Sequence, residues 1–158
     1  MHHRIHIRQG ASPDWLDLAE LFHQTIHEGA NLYTKAQRQA WSPAPPEGAN
    51  WTERLDVQTV LIACMADWPV GFISLTPHGY IDFAYIRRAY QGRGLFRQLY
   101  EAIETKARDD HIKALTTHAS LHAGPAFKRL GFICLAPETP FLRGQYLPRF
   151  YMQKYLSP

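Results

Sequence analysis

The sequence predicts an α/β (α+β) fold: a mixed central sheet of about six to seven strands flanked by helices on both faces. Three observations predict it. A strand and an amphipathic helix open the chain, three apolar strands then follow one another across short turns, and the second half alternates helix with strand. A meander running into β-α-β-α-β suits a sheet covered on both sides. The 158 residues, 46% hydrophobic and 20% charged, suit one domain over residues 1–158, large enough to bury a core without metal or disulfide.

Each element has its own signal. Residues 4–8 alternate polar and apolar, as a half-buried strand does. Ser12-Pro13-Asp14 supplies an N-cap, a first-turn proline and a first-turn acid for a helix striped by Trp15, Leu18, Phe22 and Ile26. Thr34 caps a second short helix that runs to Trp41, where proline stops it, and residues 50–56 follow a Pro/Gly loop as a third turn. Period two then takes over: residues 59–66, 70–76 and 80–86 read as strands joined by Asp67-Trp68-Pro69 and Pro77-His78-Gly79. A glycine-containing loop leads to a helix with Leu95, Leu99, Ile103 and Ala107 four apart. Residues 112–118 read as a strand, 123–130 as a helix, and 132–135 and 151–156 as strands.

Composition narrows the function. No apolar run approaches the roughly 20 residues of a spanning helix, and no charged-then-apolar leader opens the chain, so a cytoplasmic protein without a membrane partner is expected. Cys64 and Cys134 each lie in an apolar strand-like run and read as buried thiols of a reducing compartment. The sequence pI of about 9.0 raises nucleic acid as a partner, but the aromatics fall in core-like positions and no nucleic-acid motif is present, so none is expected. His23/His27 and His118/His122 stand four apart, yet neither pair has the flanking acids or cysteines that complete a site, and Met1-His2-His3 reads as a plain terminus. No metal is expected.

Charge is distributed unevenly. Residues 1–80 carry five Lys/Arg against eight Asp/Glu, and residues 128–158 carry five against one. An anionic ligand held by the later half fits this, and an acidic first half, with Glu28 and Asp56, favours a cationic acceptor there. The strand 80–86 delivers Arg87-Arg88-Ala89-Tyr90-Gln91-Gly92-Arg93-Gly94-Leu95-Phe96 straight into a helix. Backbone N–H groups left unpaired at the positive end of the helix dipole make an anion site there, with Arg93 able to add charge-assisted bonds. A triphosphate loop would need Lys-Ser/Thr and a dinucleotide fingerprint a third glycine; both are missing.

Taken with its neighbours, this segment resembles the GNAT superfamily of acyl-CoA-dependent N-acetyltransferases, and within it the small bacterial YafP-like members. The signature Gln/Arg-x-x-Gly-x-Gly/Ala stands as Gln91-Gly92-Arg93-Gly94-Leu95-Phe96, with Phe96 departing from the small last residue. Ala119-Ser120, Leu130-Gly131-Phe132 and Met152-Gln153-Lys154-Tyr155-Leu156 follow in the family's order. The resemblance implies an acyl-CoA N-acyltransferase fold and acetyl-CoA as acyl donor. Its pantetheine arm would pair with the main chain of Phe83, Ala84, Tyr85 and Ile86, whose N–H groups can polarise a thioester carbonyl. Its pyrophosphate would sit on Gln91, Gly92, Arg93, Gly94, Leu95 and Phe96, with Ser120 and Phe127 alongside.

The reaction implied is direct attack of an amine, from a small molecule or a peptide, in a ternary complex with a monomer or homodimer. The attacking amine must be neutral, which calls for a base. Asp82, an acid inside an apolar strand beside the donor, is the first candidate, and His118, whose pKa range suits proton transfer, is the second. Many relatives carry a tyrosine as the acid four residues before the Gly-Phe pair; here that position is Phe127, so Tyr151 and Ser120 become the candidate acids. The helical segment that covers the acceptor side in this superfamily holds Tyr33, Trp41 and Trp51, aromatics suited to aryl or cationic amines. A GNAT-like module that binds acyl-CoA without transfer is the alternative reading.

Overall fold

The computed structural model describes residues 4–157. Strand β1 (Ile5–Gln9) is followed by a 3-10 turn at Ser12–Asp14, helices α1 (Trp15–Gly29), α2 (Lys35–Trp41) and α3 (Ala49–Asp56), and the strands β2 (Thr59–Met65), β3 (Trp68–Leu75) and β4 (Tyr80–Ile86). Then come α4 (Leu95–Asp109), β5 (Ala114–Ser120), α5 (Ala123–Arg129), β6 (Ile133–Glu138), a small hairpin of β7 (Phe141–Leu142) and β8 (Gln145–Tyr146), and β9 (Arg149–Tyr155). Seven strands form one sheet in the order β1-β2-β3-β4-β5-β9-β6, in which β4 and β5 are parallel and all other pairs antiparallel.

Core clusters lie on the two faces. Leu95, Leu99, Ile103 and Ala107 of α4 and Phe127 of α5 pack with Ile73, Leu75, Ile81 and Leu115 on one. Trp15, Leu18 and Leu21 of α1 and Trp51 and Leu55 of α3 pack with Val60, Ile62, Cys64 and Phe72 on the other. The helix spacing read from the sequence accounts for this, because side chains four apart share one face.

The structure departs from the sequence reading at several boundaries. Ser12 makes no cap: the turn starts from Ala11, whose N–H donates to Asp14 Oδ2 at 2.9 Å while Arg8 holds the same carboxylate. The β2–β3 turn is Ala66-Asp67, with Ala66 at φ 52°, and Trp68-Pro69 already belong to the strand. β6 runs three residues past its expected end, β9 begins two residues before its expected start, and the β7–β8 hairpin was not anticipated. Its turn, Arg143-Gly144, has φ of 45° and 84°, the two left-handed residues of a type I′ turn, with arginine where asparagine or aspartate is the usual signal. Cys64 is buried as expected, and burial pushes its thiol pKa up. Cys134 is exposed, since β6 is an edge strand.

One irregularity shapes the site. Leu75 pairs with Ile81, yet Ile73 pairs with Ala84, so β4 spends one residue more than β3 between these points. Such a bulge breaks alternation. Ile81 packs with α4, whereas Phe83, two residues on, packs with α1 and α3. The Phe83 N–H, displaced from the ladder, donates instead to the buried Ser74 Oγ at 3.1 Å.

Candidate active site

β4 and β5 pair at Tyr80–Thr116 and Ile81–Thr117, where Thr117 Oγ1 also donates to Ile81 O at 2.9 Å. Beyond that point they part, and two cavities of about 490 and 470 Å³ open along the separation. The larger lies toward α2, the hairpin and the start of β9; the smaller lies over the loop before α4 and along α5. Trp41, Ala84, Tyr85, Ser120 and Ala123 belong to both walls. A group passing from one to the other crosses these five residues.

The smaller cavity is lined by the loop on which the sequence predicts an anion site. Gly92 and Gly94 have φ of 76° and 77°, a conformation glycine adopts at no steric cost, and no atom lies within 4 Å of where a Cβ would stand on either. The loop surface is therefore open to a ligand. Leu95, Phe96 and Arg97 begin α4, and their N–H groups have no partner within the helix. Gln91 turns its side chain inward, donating to Ile86 O at 2.9 Å and bracing the loop on β4. Arg93 lies outside this wall, over the Tyr90 ring at 5.3 Å. Arg87 stacks on Trp68 and donates to Pro69 O and Gln24 Oε1, so that member of the arginine run is structural. The bulky Phe96 and Phe127 meet edge to face at 5.1 Å, an arrangement worth roughly 0.5–1.5 kcal/mol beyond burial. Phe96 lines the smaller cavity and Phe127 the larger.

In the larger cavity Asp82 is already engaged. Arg54 donates to both its oxygens, at 2.6 and 2.8 Å, and Gln58 Nε2 donates at 2.8 Å. His118 is held differently. Tyr80 Oη lies 2.7 Å from its Nδ1, and Glu138 Oε1 lies 3.3 Å from its Nε2. Arg149 holds the same Glu138 oxygen at 2.9 Å. The sheet register explains the cluster: His118 sits opposite Tyr151, Glu138 opposite Arg149, and period two puts His118 on the same face as Thr116, the partner of Tyr80. A carboxylate beside Nε2 favours the proton there, which leaves Nδ1 to accept from the Tyr80 hydroxyl. Burial, with Arg149 adding to it, lowers the His118 pKa below its usual value, while Glu138 opposes. Burial raises the Tyr80 phenol. At neutral pH the imidazole is uncharged and the phenol protonated.

The other expected residues fall as follows. Tyr151 stacks on His118 at 4.9 Å but lines neither cavity, so it backs the imidazole and does not face a substrate. Ser120 Oγ accepts from Ala123 N at 3.1 Å, starting α5. Tyr33 and Trp41 line the larger cavity, with the Tyr33 hydroxyl committed to Pro148 O and Leu121 N. Trp51 does not: it is buried against Phe22 and Phe83, its Nε1 donating to Trp15 O. Glu28 and Asp56 line neither cavity, and Asp56 accepts from Trp15 Nε1, so the acids of the first half place no carboxylate in either wall. Tyr80, Glu138 and Arg149, together with the hairpin residues, are the functional candidates the sequence reading missed. Among the described residues no group of three or more His, Cys, Asp or Glu is placed to hold a metal ion, and no helix is long and apolar enough to cross a membrane.

Residues 26–154 match the family model of the acetyltransferase (GNAT) domain. The chain belongs to the GNAT acetyltransferases. It is 31% identical over 150 residues to the uncharacterized N-acetyltransferase YafP of Escherichia coli (strain K12), covering 94% of this chain and 95% of that protein. A GCN5-related N-acetyltransferase from Rhodopseudomonas palustris superposes with a TM-score of 0.89 at 30% identity, over 99% of both chains. YncA of Salmonella typhimurium, solved with its cofactor acetyl-CoA, shares the fold with a TM-score of 0.74 at 18% identity, over 98% of this chain and 95% of that one.

Proposed function

We propose that the protein transfers an acetyl group from acetyl-CoA to an amine held in the larger cavity, with Tyr80 and His118 removing the proton. The observation that carries this reading is the parting of β4 from β5, which opens both cavities onto the same five residues.

The residues of the smaller cavity suit the donor: an open glycine loop and unpaired N–H groups at the start of a 15-residue helix fit a pyrophosphate, and the free edge of β4 fits an extended amide arm. When bound, acetyl-CoA supplies the activated acetyl thioester. The protein's own part is to position the acceptor and take its proton. The Tyr80 oxygen accepts the amine proton while the phenol proton passes to His118 Nδ1, and Glu138, beside Nε2, steadies the imidazolium that results. Asp82 serves as a positioning residue: it fixes Arg54, which lies over the Phe83 ring at 4.6 Å, at the cavity floor.

Calorimetric titration of acetyl-CoA, with CoA for comparison, tests the donor site; 1:1 micromolar binding is expected. Release of CoA thiol that depends on an added amine tests transfer. Thiol release equally fast with and without amines would overturn it, as would full turnover in both Tyr80→Phe and His118→Ala.

A further inference from the structure

We infer that the acceptor is an amine carrying a carboxylate, and that Arg143 at the β7–β8 turn receives the carboxylate. The inference rests on the transfer reading above, because it concerns the occupant of the same cavity.

The wall of the larger cavity contains three arginines, Arg54, Arg143 and Arg149, against one carboxylate, Asp82. Two of the three are matched within the fold: Arg54 grips Asp82 with two nitrogens, and Arg149 holds Glu138. Arg143 is different. Its one hydrogen bond among the described residues runs from Nη1 to Ala40 O at 2.7 Å, and no described carboxylate pairs with it. A guanidinium offers five N–H donors in a planar fork, so most of this one remains for a ligand, and a carboxylate fits it two-pronged.

The arginine is held in place. Its turn is fixed by the two left-handed residues, by Leu147 N donating to Pro140 O at 2.9 Å, and by Gln37 Nε2 donating to Tyr146 O at 2.9 Å. The bond to Ala40 adds α2 as a support. The wall that holds this cation and the Tyr80–His118 pair also carries the aromatics Trp41, Phe83 and Phe141. A molecule with an amine at one end, an apolar body, and a carboxylate at the other matches that set of surfaces. A second ammonium would meet the surplus positive charge.

The test uses three probes with one body and three charges: 4-(aminomethyl)benzoate, its methyl ester, and 1,4-bis(aminomethyl)benzene. Thiol release with acetyl-CoA should give kcat/KM for the acid roughly tenfold or more above the ester, and lower still for the diamine. Arg143→Gln should remove most of the acid's advantage through KM, leaving acid and ester within about twofold, with Arg143→Lys intermediate. Equal or better turnover of the ester or diamine by the wild type overturns the inference. So does an acid-to-ester ratio that Arg143→Gln, shown to be folded by its Tm, leaves unchanged. Calorimetry on protein saturated with CoA separates this from the transfer reading. Arg143-dependent binding of the acid without turnover upholds Arg143 as the carboxylate site and counts against the transfer reading; no binding of any probe sinks the inference.

Discussion

Two carboxylates are each held by a basic residue of the same strand, near its two ends. Near the C-terminal end of β9, Lys154 donates to Glu104 at 2.7 Å, and Tyr100 and Arg108 donate to the same carboxylate at 2.7 and 3.2 Å. Burial alone would raise the Glu104 pKa, but these three bonds outweigh it and bring it down to about 2. At the other end Arg149 holds Glu138, and there the same oxygen also faces His118. Every partner of Glu104 ends within the fold, whereas the chain of contacts from Glu138 runs through an imidazole and a phenol into a cavity. One ion pair fastens α4 to the sheet; its counterpart stands beside an imidazole whose charge state burial chiefly sets.

That contrast can be broken by substitution. The largest effect expected is in His118→Ala, which should lower kcat/KM by roughly 10²–10³-fold, while Glu104→Gln stays within about twofold of wild type. An equal loss of activity in both would erase the distinction. Glu138→Gln should cost less, about tenfold, and should move the acid limb of the kcat/KM profile. The sign follows from the contacts: Glu138 favours the charged imidazole, so its loss lowers the His118 pKa further, and a limb already below 6.5 shifts to lower pH. A limb that moved up would contradict the assignment.

Stability should separate the pair in the opposite sense. Glu104 titrates near 4.5 when unfolded and near 2 when folded, so its contribution is present above pH 4.5 and is lost as pH falls toward 2. Urea unfolding at neutral pH should show Glu104→Gln weaker by about 1–3 kcal/mol, and the difference should close across that acid window. The smallest effect belongs to His118. Its folded pKa lies below the unfolded 6.5, so the wild type gains protons on unfolding and loses a little stability as pH drops beneath 6.5. His118→Ala should lack that part of the slope.

What the sequence disclosed follows the same division. Helix stripes and strand runs are local patterns, and they located α1, α4 and the meander closely. The glycine loop was legible because its chemistry is contained in consecutive residues, Gln91 to Phe96. Tyr80, His118, Glu138 and Arg149 come from four strands, and only the pairing of β5 with β4 and of β9 with both β5 and β6 brings them together. His118 was visible because an imidazole ordinarily titrates near neutrality; the Glu138 carboxyl and the Tyr80 phenol are of types that do not. Trp51 misled because a tryptophan in a cover helix looks alike whether it faces a ligand or the core. The hairpin escaped because two-residue strands leave too short a pattern, and its turn bears arginine.

The extra residue in β4 has a consequence for how much chemistry one strand can present. A strand read strictly in twos offers a cavity every second side chain and hides the rest. Here the reading frame slips by one between Ile81 and Ala84, and Tyr80, Asp82, Phe83, Ala84 and Tyr85 all line the larger cavity, five within six positions. Deleting one residue of the bulge, Asp82, would restore strict alternation with Phe83 and Tyr85 still on the cavity side, and the strand would present one side chain fewer.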